Sequence, residues 1–133
     1  MSTFKDLNDA REYFREERFA TENGMEIDEL SEDSCTCSVI LQDHHRNALH
    51  GVMGGTIFTL ADFAFAVSAN HDHHPTVAQN VNISFLNGSN GTKLFAKSTR
   101  IKSGRTSSVW QIDVTDDLGK HIALFTGTGF KLS

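Results

Sequence analysis

The spacing of hydrophobic positions in the first half of the chain predicts two helices with different surroundings. Residues Thr3–Phe19 place apolar side chains from Phe4 to Phe14 at helical intervals among charged residues. This pattern is typical of an amphipathic helix on the outside of a domain, and Gly24 is expected to end it. The second run, Gly54–Asn70, is apolar almost all the way round, which indicates a helix surrounded by protein.

The other segments show the period of two that is typical of strands. Met25–Leu41 predicts two extended pieces, broken at Ser31–Ser34. Four later strands, joined by short turns containing glycine, are expected over Val77–Phe85, Thr92–Lys102, Thr106–Thr115 and His121–Leu132. Strands joined by short turns form antiparallel meanders. We therefore expect an α+β fold in which a long antiparallel sheet wraps around the apolar helix.

Length and charge narrow the class of protein. The 133 residues suit a single domain, and 12 Lys and Arg against 17 Asp and Glu give a net charge of −5. This balance argues against a nucleic-acid partner. The N-terminus lacks the apolar region of a signal peptide. A central Asp62 makes membrane insertion of the apolar helix unfavourable by about 2.5–3.5 kcal/mol. We expect a cytoplasmic protein without a membrane partner.

The cysteines and histidines are expected to hold no cofactor. Cys35 and Cys37 lie two residues apart, which is not the spacing of a redox or zinc motif, and predicts buried thiols in a reducing compartment. His44, His45 and the segment His71–His74 invite a metal hypothesis. Adjacent loop residues rarely converge on one ion, so a solvated polar loop without metal is expected.

Candidate chemistry concentrates around the start of the apolar helix. Gly54 and Gly55 leave the first-turn N–H groups unshielded by Cβ atoms, and such donors can hold a developing oxyanion. Asp62 follows about two turns later and could act as nucleophile or general base, while Asn47 could orient water or a carbonyl. A glycine pair can also be only a tight helix entry, and a lone Asp can cap a loop. The residues alone leave both interpretations open.

Residues 54–70 resemble the signature helix of the PaaI-type acyl-CoA thioesterases, which have the hotdog fold. Weaker similarity extends over most of the chain, at Asn82–Leu86, Gly104–Thr106 and Ala123–Thr128. The resemblance implies a single hotdog thioesterase domain over residues 1–133. It also implies hydrolysis of an acyl-CoA thioester to a free acid and CoA, with neither metal nor cofactor.

The resemblance also implies roles for individual residues. Asp62 corresponds to the family aspartate, which acts as nucleophile or activates water; the Gly54 N–H polarises the carbonyl, and Asn47 corresponds to the family asparagine. The residues expected to bind substrate are Gly55, Met53, Phe58, Asn82 and Arg105. The family's subunits pair so that their sheets become continuous, and each site draws on both subunits. A homodimer, usually within a homotetramer, is therefore implied.

The chain departs from the family pattern immediately before the glycine pair. Met53 stands where members usually carry His. His50 occupies a position where the family often has Gly, so it stays outside the catalytic set. Nothing in the residues identifies the acyl group, because Phe58, Phe63, Phe65 and Phe85 would suit an aromatic or a medium chain equally.

Other interpretations remain open from the sequence. Five basic residues between Lys93 and Arg105 form either a patch for the phosphates of CoA or an exposed strand face guarded against edge pairing. A non-catalytic acyl-CoA-binding module would use the same cleft without turnover. A hotdog dehydratase would need a His with a second acidic partner, and no His lies in residues 54–70.

Overall fold

The computed structural model describes residues 2–133 as one antiparallel sheet and a long central helix. The helices are α1 (Leu7–Phe14), α2 (Arg18–Thr21) and α3 (Gly54–Asp72). The strands are β1 (Glu26–Leu30), β2 (Cys35–Ile40), β3 (Thr76–Phe85), β4 (Lys93–Ser103), β5 (Ser107–Asp116) and β6 (His121–Lys131). Their order in the sheet is β1-β2-β4-β5-β6-β3, and every neighbouring pair is antiparallel.

Helix α3 is buried against the concave face of the sheet. Its predicted stripe from Ile57 to Ser68 is buried, and Trp110 and Phe125 lie fully buried on the strands beneath it. A Cβ atom at Gly127 would lie 2.8 Å from Cδ1 of Phe65, so the close approach of helix and sheet requires glycine there. The expected α+β arrangement, a long sheet wrapped around one buried helix, is confirmed.

The N-terminal amphipathic segment forms two short helices, so the prediction of one continuous helix over Thr3–Phe19 is wrong in extent. Helix α1 begins at Leu7 because Oδ1 of Asp6 accepts the Asp9 N–H at 2.9 Å. The chain leaves helical geometry at Glu17, where φ is −80° and ψ is 68°. The break turns α2 so that it packs on α3 separately from α1.

Strand β3 forms one edge of the sheet, and in the described part of the chain it pairs only with β6. Its ten residues carry no charge and no proline, although these are the usual protections of an exposed edge. Two of its apolar side chains are poorly covered, with Val77 47% and Phe85 54% exposed, whereas Val81 and Ile83 pack half-buried against the core. The predicted alternation therefore buries part of one face in the middle of the strand and leaves its two ends exposed.

The cysteines and histidines serve packing and capping. Cys35 and Cys37 are free and buried, as predicted. His71 accepts the Phe4 N–H on Nδ1 at 3.2 Å and stacks on its ring, while His74 bonds the Tyr13 hydroxyl at 2.8 Å. Within residues 2–133 no group of three or more His, Cys, Asp and Glu side chains is placed to bind a metal. No helix of that part of the chain is long and apolar enough to cross a membrane.

Candidate active site

The loop before α3 is held by short polar contacts. The Asn47 Oδ1 accepts the N–H groups of Leu49 at 2.9 Å and Gly51 at 3.1 Å. This uses the carbonyl side of the amide to close the loop and leaves Nδ2 without a hydrogen bond in the described chain. The backbone oxygen of buried His45 accepts both Met53 N–H and Thr56 Oγ1, at 2.9 and 3.1 Å. These contacts fix the point at which the helix begins.

The first turn of α3 presents backbone donors that are free to bind a ligand. Met53 is extended, with ψ 133°, and its side chain makes no capping hydrogen bond. The N–H groups of Gly54 and Gly55 have no acceptor within residues 2–133. A Cβ atom at Gly54 would lie 3.4 Å from the Cζ of Phe85, so that ring lies over the helix start. The arrangement can hold a partly negative oxygen.

Asp62 lies half-buried in the middle of α3, between two cavities. On one side of Asp62 lies a cavity of about 360 Å³, whose walls include α1, Phe65 of α3 and residues 76–78 at the start of β3. A second cavity of about 220 Å³ reaches it from α2. Burial raises the pKa of Asp62, and the negative charge of Glu17 raises it further. Such a carboxylate is a stronger base than one in water.

A third cavity, of about 340 Å³, lies beside the helix start. It brings together three residues expected to bind substrate: Met53, Gly55 and Phe58. Phe19 and Thr59 line both this cavity and the 220 Å³ one. The cavities therefore follow one another along α3, between the helix start and Asp62, with an aromatic and aliphatic lining that suits an apolar group.

The N-terminal helices supply a wall of these cavities that the sequence did not predict. Tyr13, Phe14 and Glu17 line the Asp62 cavity, and Phe19 lines the next two. The amphipathic pattern showed only that one face of this segment packs on protein. No motif marked it as part of a site, because its position depends on how α1 and α2 fold back on α3.

Two expected substrate-binding residues lie away from the helix start of the same copy. Asn82 is exposed on β3, opposite Thr126 of β6. Arg105 lies in the turn between β4 and β5, near the other end of α3, where Ser103 Oγ donates to Asp72 at 2.6 Å. Helix α3 has 19 residues, which is about 28 Å at 1.5 Å per residue. Arg105 therefore does not reach Gly54 of its own subunit.

The basic residues between Lys93 and Arg105 do not guard a sheet edge. Strand β4 pairs with β2 on one side and β5 on the other, so the edge-protection interpretation fails for the paired part of the strand. Arg100 also forms an ion pair, in which its Nη1 lies 3.4 Å from Oδ1 of Asp72. Lys97, Lys102 and Arg105 stay exposed, so their charges are available to a ligand.

The candidate donor and the candidate carboxylate do not meet within one copy. Gly54 and Asp62 are eight residues apart on a straight helix, a rise of about 12 Å. A thioester carbonyl is only about 1.2 Å long, so one molecule cannot apply both groups to it. The hydrogen bonds of residues 2–133 do not join Asn47 to Asp62 either. Within one copy of the chain, the candidate donor and the candidate carboxylate are therefore two separate groups.

The backbone at His50 allows a stability prediction. His50 adopts a left-handed conformation, with φ 66°, which costs about 1–2 kcal/mol for a residue with a Cβ. Gly removes this strain but adds about 0.5–1 kcal/mol of unfolded-state entropy. We expect His50→Gly to raise the free energy of unfolding by about 0.5–1 kcal/mol, measured by urea denaturation. Leu49→Gly, at an adjacent residue without positive φ, should lower it; an equal loss in both variants would contradict the assignment.

A six-stranded antiparallel sheet packed against one long buried helix is the architecture of a hotdog-fold protein. The thioesterase superfamily model matches residues 49–123, which is more than half of the chain. A protein of Deinococcus radiodurans is 36% identical over 107 residues, covering 79% of this chain and 73% of the relative. The chain therefore belongs to the thioesterase superfamily and is a thioester hydrolase.

Three further comparisons, one with a sequence relative and two with solved structures, agree with this family and fold. The acyl-coenzyme A thioesterase PaaI of Escherichia coli is 28% identical over 110 residues, covering 82% of this chain and 79% of that protein. The solved structure of E. coli PaaI shares the fold, with a TM-score of 0.89, 24% identity, and coverage of 95% and 92%. A hypothetical thioesterase of Streptococcus pneumoniae, solved with coenzyme A, has a TM-score of 0.82, 21% identity, and coverage of 90% and 97%. The expectations of family and fold are confirmed.

Proposed function

We propose that the protein is an acyl-CoA thioesterase that uses the Gly54 N–H as oxyanion donor and Asp62 as catalytic carboxylate. The observation that carries the proposal is the pairing of unsatisfied helix-terminal donors with a half-buried carboxylate on one helix. The relationship to E. coli PaaI, which is named an acyl-coenzyme A thioesterase, supports CoA thioesters as the substrate class. Hydrolysis by these groups requires no metal or cofactor.

The working unit is a homodimer joined through β3. An uncharged ten-residue edge with exposed apolar side chains is suited to pairing with another strand. A second copy of β3 can form hydrogen bonds with the free backbone groups of this edge. A two-fold axis perpendicular to the sheet relates the two copies, so the strands pair antiparallel. This pairing makes the two sheets continuous. The homotetramer implied by the family resemblance would pack two such dimers and remains a prediction.

Antiparallel pairing of β3 brings the candidate donor and the candidate carboxylate together. Asp62 shares its cavity with residues 76–78 at the start of β3, while Gly54 lies against Phe85 at the end of β3. When two copies of the strand pair about their midpoints, the start of one lies beside the end of the other. Asp62 of one subunit then faces Gly54 of the partner subunit, which resolves the separation of about 12 Å within one copy.

The chemistry follows from this pairing. The thioester carbonyl oxygen accepts a hydrogen bond from the Gly54 N–H of one subunit. The Asp62 carboxylate of the other subunit lies beside the carbonyl carbon. Asp62 either attacks that carbon or takes a proton from a water that attacks it. The tetrahedral oxyanion is held by the helix-terminal donors until the C–S bond breaks. If Asp62 attacks, C–S cleavage leaves a mixed anhydride, which water hydrolyses to release the acyl group as a carboxylate, and the thiolate takes a proton from that water. If water attacks, the acid forms directly, and Asp62 passes the proton it took to the CoA thiolate.

The same pairing gives Arg105 a role in binding CoA. The carbonyl of Thr106 accepts the Lys131 N–H at 2.8 Å, and Lys131 pairs with Thr76 at the start of β3. Arg105 therefore lies near the start of β3, which is the part of the strand that the partner's Gly54 approaches. A guanidinium there suits the phosphates of CoA. Asn82, exposed on the shared strand, lies along the interface and is proposed to contact the substrate.

The test of the function is thiol release from a panel of acyl-CoA thioesters. A thioesterase releases free CoA with saturation kinetics from at least one acyl-CoA. The competing function is a non-catalytic acyl-CoA-binding module, which would bind the same compounds, measured by calorimetry, without releasing thiol. Binding without turnover across aromatic, short and medium acyl groups would exclude the enzyme. E. coli PaaI, assayed in parallel, is the positive control.

A further inference from the structure

Glu17 lines both cavities that reach Asp62. It occupies the break between α1 and α2, where its N–H donates to Phe14 at 2.9 Å and its carbonyl accepts Thr21 at 3.0 Å. The backbone of Glu17 is therefore held in place. Its carboxylate forms no hydrogen bond or ion pair with any described residue. Two glutamates near it behave differently, because Glu12 pairs with Arg15 and Glu22 pairs with Arg18.

The walls of the two cavities beside Asp62 carry no compensating cation from the described residues, 2–133. From α1 and the following bend, the cavity walls carry the Tyr13 phenol and the Glu17 carboxylate. From α2 and from β3 they carry no ionisable group, and α3 contributes only Asp62. Within residues 2–133, Lys, Arg and His side chains are absent from both walls. The two carboxylates therefore create a negative potential that the cavity itself does not neutralise.

We propose that Glu17 is a specificity-determining residue that makes this site select acyl groups without a terminal negative charge. The inference rests on the proposed thioesterase function, and it adds the class of acyl substrate. Glu17 lines both cavities that reach Asp62, so an acyl chain bound in either one brings its far end toward the Glu17 carboxylate. An acyl group that ends in a second carboxylate is repelled there, while a neutral acyl group of the same length is not.

Coulomb's law sets the size of the effect. Glu17 is solvent-exposed, so the effective dielectric lies between that of water and that of a protein surface. With such a dielectric, repulsion between Glu17 and a terminal carboxylate of the acyl group on the order of 8 Å away changes the affinity by about fivefold. The same charge acts on Asp62, since it contributes to the raised pKa of that carboxyl. Removing it lowers the pKa of Asp62 and moves the acidic limb of the pH–rate profile to lower pH.

The test compares butanoyl-CoA with succinyl-CoA, which have four-carbon acyl groups and differ by a terminal carboxylate. The wild-type protein should prefer butanoyl-CoA in kcat/KM, and Glu17→Gln should reduce that preference by about fivefold. Glu16→Gln removes the same charge from the adjacent residue, which lines neither cavity, and should leave the preference unchanged. Equal preferences in the two variants, or a wild type without preference, would overturn the inference.

A second measurement is independent of turnover. Carbon-13 NMR titration of the Asp62 carboxyl should show a lower pKa in Glu17→Gln than in the wild type or Glu16→Gln. A general structural effect of substitution in this bend would not produce that difference. If no acyl-CoA of the full panel is hydrolysed, the proposed function fails; if only these two are not hydrolysed, the function stands. In either case this titration alone decides the inference: an unchanged pKa of Asp62 in Glu17→Gln overturns the role of Glu17. If both are hydrolysed with unchanged selectivity in Glu17→Gln, the function stands and only the inference fails.

Discussion

Replacing Asp62 by asparagine is expected to lower kcat/KM for acyl-CoA hydrolysis by about 10²–10⁴-fold, the usual contribution of a positioned acid or base. Asparagine keeps the size of the side chain but cannot accept a proton or attack a carbonyl. The measurement is free thiol release with saturating and limiting substrate. Asp113→Asn, which changes an aspartate on β5 that pairs with His121, should retain wild-type rates. Full activity in Asp62→Asn would disprove the mechanism.

The pH dependence follows from the direction of the Asp62 pKa shift. The active form is the carboxylate, so the rate should fall as pH decreases through a pKa above the ordinary value for aspartate. The effect on stability has the opposite sign. An acid whose pKa is higher in the folded state binds more protons when folded, so its ionised form destabilises the protein above that pKa. Asp62→Asn should therefore unfold at the same or a higher temperature than wild type at pH 7 while losing activity.

Replacing Gly54 by proline is expected to lower kcat by about 10²–10³-fold, the cost of losing one oxyanion donor. Proline removes the N–H of interest and is well tolerated at the first position of a helix. Met53 already has the extended conformation that a residue before proline requires. Gly54→Ala is the matched control, because it adds a Cβ beside Phe85 but retains the donor. Equal loss in both variants would indicate a steric effect and contradict the donor role.

Mixing the two inactive variants tests whether the site is shared. In a heterodimer of Asp62→Asn and Gly54→Pro, one site carries both defects and the other carries neither. Unfolding and refolding an equimolar mixture gives heterodimers as about half of the dimers. Recovered activity should therefore approach about a quarter of the wild-type value. A mixture that stays inactive, with heterodimers demonstrated by native mass spectrometry, would place both groups in one subunit.

The parts of the fold that depend on local pattern were predictable from sequence. Helix α3 was expected over Gly54–Asn70 and is observed over Gly54–Asp72. The agreement is close because an apolar run of this length, between a glycine pair and a polar segment, strongly favours a buried helix. The strands after it followed from alternation and glycine turns; Gly119, with φ 84°, confirms the turn before β6. The helix start and the carboxylate could be nominated as a site because both lie on this one helix.

The parts that depend on tertiary arrangement were not predictable. The position of Glu17 beside Asp62 comes from a break between α1 and α2 that the helical pattern does not signal. The sequence shows that Gly54 and Asp62 are eight residues apart. It does not show that β3 is an edge strand to which a second copy could pair, because the strand order depends on the tertiary fold. The basic residues of β4 likewise needed the strand order before edge protection could be excluded for the paired part of the strand.

The N-terminal wall of the cavities has a consequence for how relatives of this protein can diverge. The superfamily match covers residues 49–123, which contain the helix start, Asp62 and β3. Tyr13, Phe14, Glu17 and Phe19 lie outside that segment, on α1, on α2 and in the break between them. The proposed catalytic groups and the N-terminal part of the cavity wall are thus encoded in separate stretches of the chain. We expect substitutions in the N-terminal part to alter the preference for acyl groups while the proposed catalytic groups stay unchanged.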